Sequence, residues 1–90
     1  MAAQKELWEE AIFRWEKVLQ VNPDSAIAHN NLAVAYEKKG LLERAQEEYE
    51  KALKLSPNNR YIKSNYEKFK KTLESDLKEK KEEKKIDDKK

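Results

Sequence analysis

Apolar residues recur along the chain at the spacing of a helix. Leu7, Trp8, Ala11, Ile12, Trp15, Val18 and Leu19 follow i, i+3, i+4, i+7, which gathers them on one face. Leu41, Leu42, Ala45, Tyr49, Ala52 and Leu53 repeat that pattern, and Ile62, Tyr66, Phe69, Leu73 and Leu77 form a single narrower stripe. Between these stretches, Asn22-Pro23-Asp24-Ser25 and Pro57-Asn58-Asn59 join a proline that cannot continue a helix to polar residues able to cap the next one. Gly40, the only glycine, follows Lys38 and Lys39. It fits the left-handed position just past a helix end, with the two cations at the negative pole. The pattern predicts an all-α chain of four helices, near residues 3–20, 25–39, 42–55 and 59–78, turning back on one another as antiparallel hairpins.

The chain also repeats itself. Glu6 to Ser25 laid over Gly40 to Asn59, an offset of 34, gives 7 identities in 20 positions, among them Leu7 with Leu41, Ala11 with Ala45, Leu19 with Leu53 and Pro23 with Pro57. Composition alone supplies about one or two. Trp15 over Tyr49 adds an aromatic match in the same register.

A helix-turn-helix of this period and these residues resembles the tetratricopeptide repeat (TPR). Starting at Ala26, His29 stands at the pattern's Trp position, Leu32 at its Leu, Ala33 at the first small residue and Tyr36 at its Tyr. Gly40 falls at the turn, Ala45, Tyr49 and Ala52 in the second helix and Pro57 at the end. His29 is the clear departure. Ala11, Trp15 and Pro23 match the second half of a preceding unit, with Val18 where a small residue is usual. After Arg60 the register lapses, because Glu67 and Lys70 stand where small or aromatic residues belong; Ile62 to Leu77 resembles the solvating helix that closes such arrays. The resemblance covers residues 6–77 and implies an α-solenoid fragment with right-handed superhelical twist. Residues 1–25 would be the second helix of an incomplete repeat, 26–59 a complete repeat, 60–78 a C-terminal capping helix and 79–90 a charged tail, frayed or disordered. The expected core is Trp15, Leu32, Tyr36, Ala45, Tyr49 and Leu53.

For function the resemblance implies a protein-interaction module. In the family, peptides lie along the face made by the first helix of each repeat. The matching positions are Ile27, Asn30, Asn31, Val34, Glu37 and Lys38, with Tyr61, Ser64, Asn65 and Lys68 on the closing helix. The first six share one helical stripe, whose mixture of amide, apolar and charged groups suits hydrogen bonding to an extended chain. The family's carboxylate clamp for acidic tails is not implied, since Lys and Arg are wanted where Tyr61 and Asn65 stand and only Asn31 matches. A rival expectation is self-association. Leu7, Trp8, Ile12 and Phe13 lack the cover that a preceding helix gives, and an exposed apolar patch of that kind marks an interface. The start of the chain within a repeat also suits an excised or engineered scaffold without a native ligand.

Composition narrows the alternatives. Charged residues make up 42% of the chain, but 20 Lys and Arg against 18 Asp and Glu leave only +2, so nucleic acid is not the expected partner. The Lys pairs after residue 78 are interrupted by Glu79, Glu82, Glu83, Asp87 and Asp88, which reads as a solvated helix end. The absence of Cys excludes disulfides and thiolate metal sites. With one His and no glycine-rich phosphate loop, metalloprotease motif or nucleophile elbow, no catalytic set assembles, and no cofactor or metal is expected. His29 reads as a packed side chain, and the pairs Glu9-Glu10 and Glu47-Glu48 as solvated charge. No apolar run approaches the ~18 residues of a membrane span, nor does Met1 to Trp8 form a secretory core, so the expectation is a soluble protein with the cytoplasm as default compartment.

Overall fold

A computed structural model describes the backbone of residues 2–88 and the side chains of residues 7–75. Four helices follow one another: α1 (Ala2–Val21), α2 (Ala26–Lys38), α3 (Leu42–Leu55) and α4 (Arg60–Asp88). The first three begin and end within about two residues of the periodicity's limits. α4 runs ten residues past the expected end at 78. Lys and Glu are strong helix formers, and pairs such as Glu74 with Lys78 and Asp76 with Lys80 have the acid-before-base order that supports a helix without tertiary help.

The turns follow from their residues. Ser25 caps α2, its hydroxyl accepting from the Ala28 amide at 3.2 Å, and Asn59 caps α4, its Oδ1 accepting from the amides of Tyr61 (2.9 Å) and Ile62 (3.2 Å). Between α2 and α3, Gly40 takes φ +81°. Its amide donates to the Glu37 carbonyl at 3.0 Å and the Leu41 amide to the Tyr36 carbonyl at 2.9 Å, the paired bonds of a Schellman end. A Cβ built on Gly40 would meet nothing within 4 Å, so substitution is opposed by backbone conformation alone. Gly40→Ala is therefore expected to cost about 1 kcal/mol in urea denaturation; an unchanged midpoint would mean that the left-handed turn is absent.

Packing centres on α2 and α3, which share the most extensive interface. Ala33, Ala45 and Ala52 are wholly buried there, and their lack of side-chain bulk brings the two backbones close. Leu32, Tyr36 and Tyr49 fill the remaining space, and α4 adds Ile62 and Phe69. Tyr49, Tyr66 and Phe69 form an aromatic cluster with ring centroids 5.3 to 6.3 Å apart. Two expected core residues are displaced. Trp15 is half-buried and packs on the hydrophobic core from its rim, because among the described residues α1 packs on α2 alone. Leu53 is half-buried in the last turn of α3, where the chain leaves the core for the turn at Ser56.

Candidate protein-interaction surfaces

The stripe on α2 and α4 is organised by amides. Asn30 is fully buried (0% exposed) although it was expected on the open face. The reason is a polar chain that links the helices: Asn65 Nδ2 donates to Asn30 Oδ1 at 3.2 Å, and Asn30 Nδ2 donates to Asn31 Oδ1 at 3.2 Å. Asn30 is thus an internal brace. Asn31 and Asn65 are half-buried and lie 34 residues apart, one repeat length. The two bonds use the Asn31 oxygen and one Asn65 amide proton. That leaves the Asn31 NH2 as a donor and the Asn65 oxygen as an acceptor, a pair complementary to a peptide main chain.

The other expected positions fall around this brace. Ile27, Lys38, Tyr61, Ser64 and Lys68 are exposed, while Val34 is half-buried against the core. Glu37 is half-buried and its Oε1 accepts from the Tyr49 hydroxyl at 2.9 Å, so a core tyrosine on α3 holds a carboxylate on α2. Burial, and then the hydrogen bond and charge of Glu37, raise the Tyr49 pKa above its ordinary 10. Burial and then Glu16 raise that of Tyr36, and burial and then Glu50 raise that of Tyr66. Below pH 10 these phenols are protonated in both folded and unfolded chains. As pH rises through 10 the unfolded chain loses those protons first, so stability is expected to fall on that side. Tyr49→Phe should flatten the fall in denaturation midpoint above pH 10; an equally steep curve would contradict the burial of that hydroxyl.

α1 carries the second open surface. Leu7 (61% exposed), Ala11, Trp15 and Val18 (40% exposed) line a groove with Glu10 and Arg14. The four residues expected to associate do not form one patch. Ile12 turns into the core, Trp8 is half-buried, and Phe13, although 58% exposed, lies about a third of a turn round α1 from Leu7. Phe13 instead sits under the Lys17 ammonium, 4.8 Å from its ring centroid. The 34-residue offset holds the signal for the groove: Leu7, Ala11, Trp15 and Val18 correspond to Leu41, Ala45, Tyr49 and Ala52.

His29 is a connector. Its Nδ1 lies 2.6 Å from Glu48 Oε1 on α3 and its Nε2 2.9 Å from the Pro23 carbonyl, so both ring nitrogens face acceptors within the fold. Among the described residues no group of His, Cys, Asp or Glu could hold a metal ion, and no helix is long and apolar enough to cross a membrane.

Comparison with known proteins bears on the helical repeat. A family model described as a TPR repeat matches residues 3–40, and one described as the tetratricopeptide repeat matches residues 26–59. The uncharacterized protein ycf37 of Pyropia yezoensis is 44% identical over 46 residues, which is 51% of this chain and 26% of that relative. The chain therefore spans about a quarter of the curated relative's length. TPR repeats are generally protein-interaction modules and typically non-catalytic scaffolds. The two family matches together run from residue 3 to residue 59, across α1, the α2–α3 hairpin and the turns that join them: the chain belongs to the tetratricopeptide-repeat family.

Proposed function

We propose that the chain is a non-catalytic scaffold whose α2–α4 face takes an extended segment of another protein. The observation that carries this reading is the amide chain from Asn65 through buried Asn30 to Asn31. It fixes a donor and an acceptor in place before a ligand arrives, which lowers the entropy of ordering them on binding. Ile27, Val34 and Tyr61 supply apolar contacts for side chains of the bound segment, and Glu37, Lys38 and Lys68 supply charges that select among sequences. Residues 26–59 form the complete repeat in this reading, and α4 the capping helix that extends its face.

The test is selection of binders from a random peptide display library. Peptides selected on this chain should lose about tenfold or more in affinity, measured by titration calorimetry, when Asn31 and Asn65 are both changed to Ala. Equal affinity for the variant would overturn the reading.

A second reading is self-association through α1, favoured by the exposure of Leu7 and Val18 on one stripe. A mass that rises with concentration in sedimentation equilibrium supports it; a constant monomer mass removes it.

A further inference from the structure

The open stripe on α1 has a built-in comparison one repeat later. Ala45, Tyr49 and Ala52 are buried because α2 lies across them and α4 closes the far side. Their counterparts Ala11, Trp15 and Val18 are apolar at the same spacing, yet among the described residues α1 packs on α2 alone and leaves them half-buried or exposed. The stripe is therefore a helix-packing face rather than a solvated one, with Ala11 as the small residue that lets a second helix approach.

Resting on the self-association reading, we propose that the occupant is α1 of a second copy of this chain, laid antiparallel about a two-fold axis near Ala11 and Ile12. The stripe is self-complementary in that orientation. Glu10 and Arg14 flank the groove one turn apart. A two-fold between them sets Glu10 of each copy against Arg14 of the other, and Leu7 against Val18, with Ala11 beside the axis. The same surface thus serves both copies, as a closed dimer requires. The other way for two copies to meet, α4 of one on α1 of the next, lacks the chemistry. Tyr66, Glu67 and Lys70 stand where α2 presents Leu32, Ala33 and Tyr36, so Glu67 would be pressed into the point of closest approach.

The experiment is sedimentation equilibrium on the whole 90-residue chain and two charge reversals, Glu10→Arg and Arg14→Glu, each checked for helix content by circular dichroism. The unchanged chain should form a reversible dimer. Each reversal places like charges together twice and should raise the dimer dissociation constant about tenfold or more. An equimolar mixture of the two variants should recover the original association, because each then meets its opposite. A dimer indifferent to both reversals would overturn this pairing of Glu10 with Arg14 while leaving self-association standing. Weakening without recovery on mixing would overturn the antiparallel register. A monomer at every concentration would remove the proposal and the reading beneath it together.

Discussion

Phe69→Ala is expected to remove about 3 to 5 kcal/mol of stability. Phe69 is buried to 1% exposure and stacks among Tyr49 and Tyr66, so its loss leaves a cavity between α3 and α4 that neither tyrosine can fill without leaving its hydroxyl partner. A chain of this length is held by about 5 to 13 kcal/mol in total. The change therefore takes a large share of the whole, and it falls on the helix that carries Asn65. Urea denaturation followed by circular dichroism should show a lower midpoint, and peptide binding should weaken with it. A variant that melts like the parent would mean that α4 does not dock on α3 through this ring.

Leu32→Ala should cost about 2 to 5 kcal/mol, and Leu53→Ala distinctly less. The sequence pattern ranks the two alike, since both are leucines on an apolar stripe. Their surroundings separate them: Leu32 is buried at the centre of the α2–α3 interface, whereas Leu53 is half-buried at the end of α3. The cavity term scales with how completely neighbours enclose the deleted atoms, so only Leu32 should incur it in full. Equal losses in the two denaturation curves would contradict the packing.

These two leucines show what the sequence reveals and what it withholds. Periodicity, two prolines and one glycine locate the helices, because each is a local signal acting within a turn or two of chain. The 34-residue offset identifies the repeat without any structure. Burial is not local in that sense. Asn30 looks like a surface amide until Asn65, 35 residues later, comes across to bond it. Phe69 is one member of a sparse stripe until the fold sets it beside Tyr49. The open face of α1 is set by helical direction rather than by nearness in sequence. Leu7 and Trp8 line one pocket, but Ile12 turns into the core and Phe13 lies about a third of a turn from Leu7, whereas Leu7, Ala11, Trp15 and Val18 line one groove.

Binding of a partner to the α2–α4 face, with its preset amides, is the proposed function. It is tested most directly by 15N-resolved NMR of the chain titrated with a peptide selected from the random display library. The largest shifts are expected at the side-chain amides of Asn31 and Asn65, with smaller ones at Val34, Glu37 and Lys68 and little change along the outer side of α3. Shifts confined to Leu7 through Val18, or to the exposed residues of α3, would contradict the account.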